Sequence, residues 1–163
     1  MTPKTAVVLI EAVDFRDDAK TVTAWTSGQL DTEHRAFLSS LPFVSIEEPF
    51  TLVHGSLRDP IVEYLLDRNS AVGTLNLMET DYCLVGHSHI PFVCCEVPEN
   101  PLNHEFTEFP DTEPVVLRSE RCIINPGGVG QPRDGDCRAS YAVYDSEPAA
   151  IHCHRVAYDI AET

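Results

Sequence analysis

From Tyr82 onward the chain is built of short apolar runs: Tyr82-Cys83-Leu84-Val85, Ile90 to Val97, Val115-Val116-Leu117, Arg121 to Ile124, Ala139 to Tyr144 and Ala150 to Tyr158. Runs of this length and residue type read as strands, so the second half of the chain needs a sheet framework. The first half has a different texture. Across residues 21–41, Trp25, Leu30, Phe37, Leu38 and Leu41 recur with helical spacing, and Pro42 ends the pattern. Phe50-Thr51-Leu52-Val53 reads as a buried strand leading into His54-Gly55. Asp59-Pro60 predicts a helix start, an N-cap followed by proline at the first helical position, continued by Ile61, Val62, Leu65 and Leu66. A short helix is expected over 70–79 and a surface loop over the proline- and acid-rich residues 98–114. Helices followed by mostly antiparallel strands predict a layered α/β (α+β) architecture. The 163 residues suit one domain, 1–163, able to bury roughly 70% of its unfolded surface.

Charge narrows the partners. The chain holds 11 basic against 26 acidic residues, and only Lys4 and Lys20 are lysines. A net charge of -15 repels phosphate backbones and anionic lipid, arguing against a nucleic-acid scaffold or membrane-surface role. The opening MTPKTAVVLIEAVDF has an apolar run too short for a signal peptide, and no run is long enough to span a membrane, so a cytoplasmic location is expected. Five of the six cysteines (Cys83, Cys94, Cys95, Cys122 and Cys153, but not Cys137) lie in strand-like runs without a C-x-x-C pair. They read as small buried hydrophobes in a reducing compartment rather than a disulfide framework.

The stretch Leu84-Val85-Gly86-His87-Ser88-His89-Ile90-Pro91-Phe92 carries the chemistry and allows two readings. A strand followed by G-x-S suggests a nucleophile elbow with Ser88 at its tip. That motif needs glycine at its fifth position and a helix behind it, whereas Ile90 stands there and a strand-like run follows. The alternative makes His87 and His89 metal ligands. In extended backbone, residues two apart point the same way, and metals roughly 3.5–4 Å apart would accept neighbouring imidazoles. His54, at the end of another apolar strand, would be the third ligand, in keeping with binding sites at the carboxyl ends of strands.

Three segments, Val53-His54-Gly55-Ser56, Gly86-His87-Ser88-His89 and Ile124-Asn125-Pro126-Gly127-Gly128-Val129-Gly130-Gln131-Pro132-Arg133-Asp134-Gly135, together resemble the C-terminal portion of a bacterial calcineurin-like metallophosphoesterase. Ala139 to Val143, Trp25-Thr26 and Arg155 to Ile160 fall in the same order. Ser88 and Gly128 depart mildly from the family's Gly-His-Thr-His and Pro-Gly-Ser. The resemblance implies a two-sheet β-sandwich flanked by helices, hydrolysis of phosphate mono- or diesters, and divalent ions (Mn, Fe, Co, Ni or Zn). His54 and His87 would bind the second metal and His89 the first. The family's D-x-H, G-D-x-x-D and G-N-H-D motifs have no counterpart here. The resemblance therefore implies that the N-terminal part of the fold is missing, with an incomplete dinuclear site, and a self-association or partner chain is expected to cover the missing half. The competing expectation is a non-catalytic fragment or subunit.

Asn125, Arg133 and Arg58 are the candidates for the phosphate side of a small phosphorylated substrate. Asn125 to Gly130 matches neither a Walker A loop nor G-x-G-x-x-G, but its backbone N–H groups could form an anion nest. The alternative for Arg133 is an ion pair with Asp134 or Asp136, and Arg58 has a similar structural alternative. His152-Cys153-His154 reads as a solvated strand face, His104 has no specific role, and adjacent Cys94 and Cys95 must point to opposite faces.

Overall fold

The computed structural model describes residues 17–97, 100–118 and 120–162, in two compact units, one up to Phe43 and one from Val44 onward. In the first unit, α1 (Asp17–Gln29) and α2 (Thr32–Ser40) replace the continuous helical pattern expected over 21–41. The break lies at Asp31, whose carboxylate accepts the His34 N–H at 2.8 Å and thereby starts a new helix. Arg35 reaches back to the Ser27 and Leu30 carbonyls and ties the two helices together. The apolar stripe is cut in two by this break, and no residue of α2 is buried.

The second unit holds nine strands among the described residues: β1 (Val44–Glu47), β2 (Phe50–Val53), β3 (Tyr82–Leu84), β4 (Phe92–Val97), β5 (Asn100–Glu108), β6 (Val115–Val116), β7 (Cys122–Asn125), β8 (Ala139–Asp145) and β9 (Ala150–Val156). They form a six-stranded sheet of order β1-β2-β3-β7-β4-β5 and a three-stranded sheet of order β6-β9-β8. The large sheet is mixed: β2, β3 and β7 run parallel, with antiparallel neighbours outside them. The layered α/β architecture is the expected one, with more parallel pairing than anticipated.

Period-two alternation explains how one sheet serves two cores. Val53, Cys83, Val85, Phe92, Cys94 and Ile123 pack on one face with Leu65 and with Ala71 and Leu75 of α3 (Arg68–Leu75). Phe50, Tyr82, Val93, Cys122 and Ile124 pack on the other face against Leu117, Ile151 and Cys153, so the second sheet closes that side. Cys94 and Cys95 do fall on opposite faces.

Three expectations need correction. Asp59-Pro60 makes only a turn: the Asp59 side chain caps Ile61 and Val62, but Ser56 and Gly55 donate to the Asp59 and Pro60 carbonyls, the acceptors a first helical turn would use. The helix starts instead at Asp67, whose carboxylate and Ser70 form a reciprocal cap. Residues 98–114 are not all loop, because β5 pairs with β4 from Phe92↔Glu108 to Cys95↔Glu105, and an edge strand tolerates prolines and charges that a central strand does not. Finally, Cys95 and Cys122 are disulfide-bonded, because the β4–β7 register sets them directly opposite. Cys83, Cys94 and Cys153 remain buried thiols, and Cys137 is an exposed one. No helix among the described residues is long and apolar enough to cross a membrane.

Candidate metal centre

Parallel β2, β3 and β7 bring their carboxyl ends to one edge of the sheet, and β4 starts there because Phe92 pairs with Asn125. Each parallel strand delivers part of the site: His54 follows β2, Gly86 to His89 follows β3, and Asn125 ends β7. Gly86 N–H bonds the His54 carbonyl at 2.9 Å, and Val85 N–H bonds the Ile124 carbonyl at 2.9 Å, so the three exits are stitched together.

His54 Nε2 lies 3.0 Å from His87 Nδ1. His87 Nε2 is 3.1 Å from the Val62 carbonyl, which can only accept, so that nitrogen carries the proton and Nδ1 keeps its lone pair. His89 Nδ1 meets the Gln131 carbonyl at 2.8 Å, which by the same reasoning leaves its Nε2 free to ligate. His54 is pushed down to about 4, by burial first and then by His87, and burial also lowers His87. Above that range the His54 imidazole is neutral, the form that binds a metal. The neighbouring histidines arise by a route other than the extended one expected: His87 and His89 both have left-handed backbone, φ 62° and 58°, in a tight loop closed by Ser88 N–H on the Gly86 carbonyl.

Ser88 is 2% exposed, and its Oγ accepts from Asn125 Nδ2 at 2.9 Å and from the Ile90 N–H at 3.3 Å. It is a buried brace for the loop, and no histidine is among its hydrogen-bond partners in the described residues. Asn125 is fully buried: its Nδ2 donates to the Gly86 carbonyl at 2.8 Å as well as to Ser88, and its Oδ1 accepts the Gly127 N–H at 2.9 Å. The amide is thus engaged in holding the histidine loop. Behind Asn125, Gly127 adopts φ 84° and lies so close to Ser140 and Pro91 that any Cβ would collide with them at 2.9 Å. Ser140 fastens this segment by donating to the Pro126 carbonyl and to the Gly128 carbonyl.

The two arginines part company. Arg58 makes a forked pair with Glu63, Nε to Oε2 at 3.1 Å, and Ser56 adds its hydroxyl to the same carboxylate. Arg133 has no carboxylate partner among the described residues. Its expected alternatives are taken, Asp134 by Arg155 and Asp136 by Arg138. Arg133 instead rests beside Tyr64, with Nη1 3.3 Å from the phenol oxygen and Cζ 5.9 Å from the ring centroid, while Tyr64 stacks on His87 at 3.9 Å. Tyr64, like the Val62 and Gln131 carbonyls, carried no motif signal; only its place shortly after a metal-type histidine loop could have drawn attention to it. His152 and His154 stack near Tyr141 on the second sheet, away from this edge.

The fit to metal is partial. Two nitrogens 3.0 Å apart can share one ion at about 2.1 Å each. Among the described residues, however, no group of three or more His, Cys, Asp or Glu side chains is arranged to hold a metal ion. Among the described residues, no carboxylate joins the histidines in such a group.

The chain superimposes on the crystal structure of a metallophosphoesterase from Sphaerobacter thermophilus with a TM-score of 0.83 and 38% identity, over 99% of this chain and 65% of that one. This chain carries part of a metallophosphoesterase fold. The partial share of that phosphoesterase fits the C-terminal portion implied by the motifs. A hypothetical protein from Pyrococcus horikoshii shares the fold at a TM-score of 0.66 and 19% identity, over 99% of this chain and 57% of that one. An uncharacterised protein of Methanocaldococcus jannaschii is 37% identical over 141 residues, 83% of this chain and 54% of its own length. The chain thus spans about half of that relative and under two thirds of the phosphoesterase. No family model matches the chain.

Proposed function

We propose that the protein acts in metal-dependent hydrolysis of phosphate esters, mono- or diesters, with His54 and His87 as the ligand pair for one ion and His89 as a ligand to a second. The observation that carries this reading is the 3.0 Å approach of His54 Nε2 and His87 Nδ1 at the carboxyl ends of parallel strands, with the Val62 carbonyl fixing the His87 tautomer. When bound, a divalent ion of the Mn, Fe, Co, Ni or Zn group supplies Lewis-acid charge at a phosphoryl oxygen. The chain's own groups do the rest: Asn125 and Ser88 hold the histidine loop, and Arg133 offers positive charge to the phosphate.

The absence of a group of three or more metal-ligating side chains among the described residues favours a second reading, in which the chain contributes one half of a site and another copy or a partner chain supplies the anionic ligands. Metal content and turnover of an aryl phosphate and a bis-aryl phosphate by the purified chain, beside His87→Ala, separate the two readings. Metal retained by wild type and lost in His87→Ala, with metal-dependent turnover, supports the enzyme. Metal binding without turnover supports the half-site. Absence of metal binding by wild type refutes the enzyme reading.

A further inference from the structure

We infer that Tyr64 is a positioning residue that seats the Arg133 guanidinium beside the histidine pair, so that the two form an anion subsite for a phosphoryl group. The inference rests on the phosphoester reading above and goes beyond it by naming the group that places the cation. Three observations converge. Arg133 is exposed and has no carboxylate partner among the described residues, although the chain carries 26 acidic residues and two of them, Asp134 and Asp136, lie within three positions. Those two carboxylates are neutralised by Arg155 and Arg138, so they do not cancel the Arg133 charge. Finally, the Arg133 backbone is pinned to the site by its N–H on the His89 carbonyl at 3.3 Å, while its side chain leans on Tyr64.

Tyr64 links the two functions physically. Its ring stacks on His87 at 3.9 Å and 19°, and its phenol oxygen accepts from Arg133 Nη1. The same segment supplies the Val62 carbonyl that receives the His87 proton. Arg133 is exposed, so a phosphate oxygen can reach the remaining guanidinium donors from solvent. A planar guanidinium offers two parallel donors to such an oxyanion, which an ammonium cannot.

The test titrates inorganic phosphate into chelator-treated protein by calorimetry, so that the outcome is independent of metal. Wild type is expected to bind phosphate in the millimolar range, and Arg133→Ala to weaken it about tenfold, roughly 1.4 kcal/mol. Tyr64→Phe keeps the stacked ring but loses the phenol oxygen, and is expected to weaken phosphate severalfold with an unchanged melting curve. In the Arg133→Ala background Tyr64→Phe should add nothing, because a positioning residue acts only through the group it positions. Arg121→Ala, just before β7 and so at the opposite end of that strand from Asn125, should bind as wild type does. The inference is overturned if wild type binds no phosphate without metal, if Arg133→Ala binds within twofold of wild type, or if Tyr64→Phe weakens binding equally with and without Arg133. A separate manganese titration reports on the metal reading, and its failure would leave the phosphate result intact.

Discussion

Asn125→Ala should damage the protein through its fold first. The side chain is fully buried, and its amide makes three hydrogen bonds at 2.8–2.9 Å, to the Gly86 carbonyl, the Ser88 hydroxyl and the Gly127 N–H. Each is worth about 1 kcal/mol net; the Gly127 N–H loses its acceptor, while the Gly86 carbonyl and the Ser88 hydroxyl keep the Ser88 and Ile90 N–H groups, so the expected loss is about 3 kcal/mol. In a chain of this size that lowers the melting temperature by roughly 6–12 °C. Chemical denaturation should show a reduced midpoint with an unchanged slope. Asn125→Asp should be no rescue, since a carboxylate would face the Gly86 carbonyl with no proton to offer. A loss below about 1 kcal/mol in Asn125→Ala, where even one net hydrogen bond should register, would refute the scaffold role and return Asn125 to the phosphate side.

Other outcomes follow from the same structure. A thiol reagent should label one cysteine in the native protein, Cys137; four after unfolding without reductant; and six after reduction, because Cys95 and Cys122 are bonded and the other three thiols are buried. Burial pushes Cys83 and Cys94 up to about 12, so raising the pH to 9 should not expose them to labelling while the fold persists. Gly73→Ala puts a Cβ within 2.5 Å of the Arg58 side chain, which must swing off Glu63. The better helix propensity of alanine should hold the net stability change below about 1 kcal/mol. The Glu63 carboxyl, held low in the fold chiefly by Arg58, should rise towards its ordinary value when followed by NMR titration. Arg121→Ala removes a forked pair with Glu96, at 2.9 and 2.6 Å, and a bond to the Leu75 carbonyl at the end of α3. Because the pair is partly solvated, the expected loss is about 1–2 kcal/mol, read by denaturation.

The strands that carry the site were legible because their chemistry is local. Phe50 to Val53, Tyr82 to Leu84 and Cys122 to Asn125 are buried on both faces, and continuous apolar runs signal that directly. His54 and His87 were found because each stands just past such a run. Long-range partners carried no local signal. The Cys95–Cys122 bond depends on the β4–β7 register across 27 positions, and the lost helix at Pro60 depends on Gly55 and Ser56 taking its carbonyls. Gly55 can approach so closely only because it lacks a Cβ, which would lie 2.8 Å from the Asp59 carbonyl oxygen. Tyr64 was invisible for a similar reason: a tyrosine in a turn has meaning only once His87 is seen beneath its ring.

His87 and His89 hold a backbone shape that side chains with a Cβ resist, with φ at 62° and 58°. Each residue of this kind costs roughly 1–2 kcal/mol, whereas glycine would adopt the shape freely. The loop therefore keeps two histidines where the fold alone would be more stable with glycine. Part of that cost is offset by the His87 contact with the Val62 carbonyl and the His89 contact with the Gln131 carbonyl. His89→Gly should accordingly raise the melting temperature while removing the proposed ligand, separating what the loop does for the fold from what the proposal asks of it.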